Sequence, residues 1–284
     1  MNFHRYTRPL AFAIAALLAP VAHAAAPVGS ASAWDLSIDV SLIGLANLSV
    51  GVQASAQLDS VVTPGEDSMQ LPSLNVAAPL NLITLSTGLL ESSAEYVGGG
   101  DGMSAIAARS AVENLGLGAG VIAPGAILDL SAGLIASQTA LAGTCPDPEP
   151  GAPSLQGMLD DFVFYNSFDS GNLIGGGGDG GDGGEGGGFG GLPPTNSTLV
   201  DPRIRILGIE VPGLPLNPEP NTSIDLNLLG IAGASLILNE QTRSGDGVHS
   251  LSSATNALHL TLNVIGVITA DVIIAHSEAS LVCP

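Results

Sequence analysis

The sequence predicts an all-β protein. It reads as antiparallel sandwich-like or barrel-like sheets, built from two similar units around a glycine-rich flexible insertion. Three observations carry this reading. The first is repetition: Ser37-Ile38-Asp39-Val40-Ser41-Leu42-Ile43-Gly44-Leu45-Ala46 reads like Ser223-Ile224-Asp225-Leu226-Asn227-Leu228-Leu229-Gly230-Ile231-Ala232, and a repeat reports on architecture. The second is composition. Hydrophobic residues make up 45% of the 284, supplied by aliphatics because aromatics are only 4%, and short β-branched runs between Gly/Pro turns suggest strands. The third is the pair of cysteines, each followed by proline, closing the two units at Cys145-Pro146 and Cys283-Pro284.

The N-terminus has the parts of a secretory signal. Arg5 and Arg8 form a basic region, Leu10 to Val21 an apolar one, and Ala22-His23-Ala24 a small-residue cleavage site. Cleavage after Ala24 makes 1–24 a signal peptide and leaves 284 − 24 = 260 residues. The apolar run is short for a bilayer span, so no transmembrane segment is expected after processing. All six basic residues are arginines and two of them leave with the signal, so the mature charge is 4 − 26 = −22. Such a surface repels nucleic acid and anionic headgroups. An outer-membrane barrel needs two aromatic girdles, which six Phe, three Tyr and one Trp cannot furnish.

The first unit spans 25–145. Ser30 to Ala56 holds its first strands, Val61 to Pro79 reads as turn-rich, and Leu80 to Tyr96 resumes the β pattern. Gly98 to Gly102 is a turn whose residues tolerate positive φ. Ser104 to Leu117, alanine-rich, is read as strand because its counterpart, His249 to Leu262, alternates Leu258, Leu260 and Leu262 with polar residues. Ile127 to Thr144 is matched to Leu262 to Val282, with Gly133 to Ser137 against Gly266 to Ala270.

A connector, 146–202, follows. Its stretch Met158 to Tyr165 can pack. Gly175 to Gly191 is nearly all glycine with Asp179, Asp182 and Glu185, a density that cannot offset the entropy of ordering. The second unit, 203–284, opens with a strand candidate at Ile204 to Val211 and an extended Pro212 to Pro220 connection. Two cysteines in an exported chain point to a Cys145–Cys283 disulfide, tying neighbouring final strands and stabilising by roughly 5 kcal/mol on a chain-entropy argument.

Leu238-Asn239-Glu240-Gln241, the Gly245-Asp246-Gly247 turn, Asn256-Ala257-Leu258-His259, and Ala270 to Ile274 ending in Cys283 resemble the choice-of-anchor P proteins of bacteria. Ala111 to Leu115, followed by Ala142-Gly143-Thr144-Cys145, is similar to that family's earlier segment. The resemblance covers roughly Ser30 to Cys283. It implies an exported, surface-associated or released protein with no catalytic residues to carry over. The sequence stops at Pro284 without a hydrophobic tail or sorting motif, which favours release or passive retention over covalent anchoring.

Few residues invite chemistry. His249, His259 and His276 are spaced by ten and seventeen, which matches no compact metal motif. Satisfied histidines on strands are therefore expected, and no metal or other cofactor. Asp179, Asp182 and Glu185 lack the apolar residue of a calcium-coil repeat. Adjacent Asp160-Asp161 would point to opposite strand faces. No Gly-x-Ser-x-Gly elbow occurs, and no cysteine is spare once the two are bridged. The resulting expectation is a non-enzymatic exported protein with a structural or adhesive role, found in the periplasm, at the cell surface or outside the cell. The rival is a binding module for a carbohydrate, a cation or a small apolar ligand. The residues identify no partner beyond other cell-surface components.

Overall fold

The computed structural model describes residues 26–98, 103–122, 125–145, 195–226, 231, 233–247, 249–264 and 266–284. The signal, its Ala24 cleavage site and the 146–194 part of the connector therefore lie outside the described residues. The strands are β1 (Val28–Leu42), β2 (Ala46–Gln53), β3 (Ala56–Val61), β4 (Gly65–Leu71), β5 (Leu74–Ala77), β6 (Ile83–Thr87), β7 (Leu90–Gly98), β8 (Met103–Ile122) and β9 (Gly125–Thr144). They continue with β10 (Asn196–Val200), β11 (Arg203–Ile206), β12 (Ile209–Glu210), β13 (Thr222–Ile224), β14 (Ala234–Ser244), β15 (Ser250–Val264) and β16 (Ile268–Val282). One 3-10 turn, Pro79–Asn81, precedes β6.

The fold is all-β. Among the described residues the strands form one seven-stranded sheet, in the order β13-β14-β15-β16-β1-β2 with β3 also on β1, and one nine-stranded sheet. The second runs β12-β11-β9-β8-β6-β5, with β10 on β9, β7 on β8 and β4 on β7. All pairings are antiparallel. The sheets pack face to face, β1 over β7 and β8, β16 over β8 and β9. The barrel-like alternative is set aside because neither sheet closes on itself. Strand β1 belongs to the sheet of β13 to β16, while β10 to β12 join the sheet of β4 to β9. Each sheet thus draws strands from both ends of the chain.

A transverse seam organises both sheets. On β1 the buried positions run Gly29, Ala31, Ala33, Asp35, then change parity to Leu36, Ile38, Val40, Leu42. The same change falls at Leu238/Asn239 on β14, Ala257/Leu258 on β15 and Ile274/Ala275 on β16. Asn114 on β8, Asn239 and Ala275 sit at positive φ there, and a single left-handed residue turns the chain so the next side chains switch faces. Because the paired strands change face at one level, the ladder keeps its register on both sides: Trp34 faces His276 and Leu36 faces Ile274. Flanking strands break in two at this level. Ala54 at positive φ separates β2 from β3, and Asp201 at positive φ separates β10 from β11.

The seam divides the interior. Below it, rows such as Leu36, Ile274, Leu258 and Leu238 meet Leu85, Leu117 and Leu130 in one aliphatic core. Above it lies a second core lined by Ala31, Ala33, Ala56, Ala94, Ala108 and Ala279, with Tyr96 its largest member. The Tyr96 hydroxyl donates to the Pro27 carbonyl at 2.8 Å and lies 2.8 Å from the Ser104 hydroxyl. Gly29 is required opposite it, since a Cβ there would lie 2.6 Å from the Tyr96 ring.

Several sequence expectations change here. Val61 to Pro79, read as turns, contains β4 and β5; every residue of β4 but the last is exposed, so no apolar alternation marked it. Gly133 to Ser137 lies mid-strand on β9, whereas Gly266 to Ala270 forms a turn and the start of β16, so these segments are not structural counterparts. Gly99 to Gly102 and Gly175 to Gly191 lie outside the described residues.

Candidate functional site

The densest polar chemistry straddles the seam on both faces of the seven-stranded sheet. On the outer face, Trp34, His276, Asn256 and Glu240 are successive register partners on β1, β16, β15 and β14. Trp34 and His276 stack with ring centroids 4.6 Å apart and planes 18° from parallel. His276 Nδ1 lies 2.7 Å from Asn256 Oδ1, and Asn256 Nδ2 donates to Glu240 Oε2 at 2.7 Å. From below the seam, His259 Nδ1 meets the same Glu240 oxygen at 2.8 Å, and its Nε2 meets Asp271 Oδ1 at 3.1 Å. Burial holds His276 down, to about 4, despite the pull of Glu240, so its ring is neutral at pH 7 and suited to stacking.

On the inner face, immediately behind Trp34, stands Asp35, fully buried. Its Oδ1 accepts hydrogen bonds from Ser110 Oγ at 2.7 Å, Ser92 Oγ at 2.9 Å and Ala111 N at 3.3 Å. Among the described residues its Oδ2 has no hydrogen-bond partner. Burial pushes the carboxyl up to about 7, against the hydrogen bonds and with help from Glu91. Ser92 and Ser110 belong to a cross-strand row that continues through Ser137 and Ser197 on the nine-stranded sheet. Beyond it, Thr139 bonds Thr255 and the Ser277 carbonyl, each at 3.0 Å, across the two sheets. A polar layer therefore separates the two cores.

Of the three histidines, the fold joins His259 and His276 into one hydrogen-bonded stripe and leaves His249 apart, 3.2 Å from Asp246 in the β14–β15 turn. Among the described residues no three His, Cys, Asp or Glu groups are disposed to hold a metal ion. Cys145 and Cys283 form the disulfide, with Cα atoms 5.4 Å apart. The expected geometry needs correction: the bridged strands β9 and β16 are not neighbours in one sheet but face each other from opposite sheets. Such a bond belongs to an oxidising compartment. No helix among the described residues is long and apolar enough to cross a membrane. Asp160, Asp161, Asp179, Asp182 and Glu185 lie outside the described residues.

Sequence reasoning passed over Asp35, Glu240, Asn256 and Asp271 as site residues. One signal was present: Asp35-Leu36 interrupts the alternation of Ala31, Ala33, Ile38 and Val40, which marks a buried carboxyl beside a face change. A shallow groove of about 490 Å³ continues the outer stripe, lined by Asp39, Ser41, Asn47, Asn263, Thr269 and Asp271 among others. Comparison of the chain with protein-family models, curated proteins and solved structures finds no match to any of them.

Proposed function

We propose that this chain is an exported, non-enzymatic β protein with a structural or adhesive role at the bacterial surface or released from it, akin to the choice-of-anchor P proteins it resembles. One observation carries the reading: a disulfide 138 residues in span clips together the far ends of two long sheets. The arrangement suits a rigid exported slab. Long strands near 3.3 Å per residue make β8 and β9 about 65 Å long, and a polar layer inside the slab backs a hydrogen-bonded stripe on its outer face. The signal-like N-terminus supports export. The test is fractionation of the native host with and without the gene. Disulfide-bonded protein lacking its first 24 residues, in the envelope or medium, with weakened attachment in the deletion strain, supports the reading. Cytosolic protein with free thiols, or unchanged attachment, overturns it.

The groove favours a second reading, a binding module. Its carboxylate, amide and hydroxyl lining suits a neutral polyol or a cation better than an anion. Titration with neutral oligosaccharides and with calcium, against wild type and Asp39→Asn, decides it: heat or shifted resonances lost in the variant support the module, and silence in both refutes it.

A further inference from the structure

We propose that the end of the sandwich opposite the disulfide is a lipid-contact surface, whose aliphatic turn tips rest in a zwitterionic bilayer interface. The strand register decides which turns share this end. Cys145 and Cys283 mark one end; toward the other, Leu42 meets Ile268, Ile83 meets Ala119 and Ile206 meets Leu128. The β1–β2, β5–β6 and β11–β12 turns therefore open at the same end. Each holds large aliphatics away from the protein. Leu80 is 89% exposed and Leu45 72%, and Ile43, Leu207 and Ile209 are exposed as well. Two of the leucines stand where leucine is costly. Leu80 and Leu207 have φ of 62° and 53°, the left-handed region that turns ordinarily give to Asn or Gly. An exposed leucine there adds nothing to folding, and strain of this kind collects at functional positions.

Charge is kept away from these tips. In a chain with 26 acidic residues, the sequence carries no charged side chain at 42–46, 77–83, 119–128, 206–209 or 262–270. The nearest charges form a collar two to four residues up the strands. Asp39 stands opposite Asp271 on one sheet, and Asp129, Arg205 and Glu210 are successive register partners on the other. Asp225, one residue past the Ile224–Leu236 pair, continues that level. At about 3.3 Å per residue the collar stands roughly 10 Å behind the tips, comparable to the depth at which apolar groups enter a headgroup–acyl boundary. The disulfide end instead carries Glu66, Glu95, Asp246 and His249. Burying the tips desolvates no charge, while the acidic collar repels anionic headgroups, so a zwitterionic surface fits best. The tips also stand apart: β11 and β5 are four strand spacings from each other, about 19 Å. A second copy would need a separate matching pocket for each tip, whereas fluid lipid accepts them one by one. A lipid contact gives the adhesive reading above a partner and rests on it for export.

The test is flotation with phosphatidylcholine vesicles, using the disulfide-bonded chain purified after export and without its first 24 residues. Wild type is expected to float with the vesicles, and less so when phosphatidylglycerol is added. Leu80→Asn with Leu207→Asn suits the left-handed backbone, so this variant should unfold in urea no earlier than wild type. Its partitioning should nonetheless fall at least about tenfold. Leu45→Ser provides a second variant with the same expectation. Met69→Gln, at an exposed apolar residue of β4 away from this end, should leave binding unchanged. No vesicle binding by wild type, binding that survives in the tip variants, or tighter binding to anionic vesicles overturns the proposal. Self-association without vesicles that the tip variants abolish overturns it too and assigns the tips to a second copy. Vesicle binding is read without the host, so its failure leaves the fractionation result standing, and the two readings fail separately.

Discussion

The two halves of the sandwich, below and above the seam, are held together by different means. Below, each level of the interior is a row of large aliphatics: Leu36, Ile274, Leu258 and Leu238, then Ile38, Val272, Leu260 and Leu236. Burying each contributes about 1.5–3 kcal/mol, and no covalent or ionic help is needed. Above, the rows are small: Ala31 and Ala279 beside Ser253, and Ala33 beside Ser277 and Thr255. Small side chains allow close sheet approach but bury little. There the molecule keeps a few large residues, Tyr96, Ile106, Leu141, Leu251 and Leu281, and adds cross-sheet hydroxyl bonds, the hydrogen bonds onto Asp35 and the disulfide. The difference teaches that directional bonds can supplement hydrophobic burial where many of the facing side chains are small.

The sharpest way to break that comparison is to remove the disulfide. Cys145→Ser with Cys283→Ser is expected to cost up to about 5 kcal/mol in urea unfolding. Amide exchange should then accelerate in the upper parts of β9 and β16 before the lower core responds. Truncation should discriminate next. Leu258→Ala below the seam is expected to cost about 2–5 kcal/mol in the same assay. Enlargement reverses the pattern: Ala33→Leu above the seam should cost about 1–3 kcal/mol by overpacking, although it adds apolar area.

The outer face sharpens the comparison by pH. His276 is held to about 4, against an ordinary 6.5, by burial. A group so depressed contributes stability above about pH 6.5 that is lost as pH falls to about 4. His276→Gln should flatten that loss, changing the acid-limb stability by about 1 kcal/mol per pH unit. His276 and Asp35 sit on opposite faces of one seam with shifts of opposite sign, so wild type should be less pH-sensitive than either His276→Gln or Asp35→Asn. The smallest effect is expected at the exposed Arg205–Glu210 pair, 3.3 Å apart. Arg205→Ala should change stability by no more than about 0.5 kcal/mol.

The strand content was legible where apolar periodicity is strong. Leu258, Leu260 and Leu262 placed β15, because half-buried strands alternate, and the stretch read as Leu262 to Val282 contains β16. Strand β4 was not legible, since a strand exposed on both faces leaves no pattern; β5 alternates but spans only four residues between prolines. The disulfide was legible from cysteine arithmetic, but its bridging of opposite sheets was not. Among site residues, the spacing of the histidines suggested side chains satisfied one by one on strands, whereas His249 lies in the turn before β15 and the other two share one network. The stripe linking His259 and His276 through Glu240 and Asn256 was not legible, because those residues meet only through the register of three strands.

From its residues alone the chain determined its class: aliphatic, aromatic-poor, acidic, rich in strand formers and punctuated by glycine and proline. Those are local properties, and local propensity acts before any long-range contact forms. The seam belongs to tertiary structure. Left-handed backbone at Asn114, Asn239 and Ala275 is unfavourable in isolation and sits where the neighbouring strands β1 and β15 change their buried face at the same level. That shared change of face places Asp35 inside and His276 outside, an assignment two residues of one ladder could not make without the rest of the sheet.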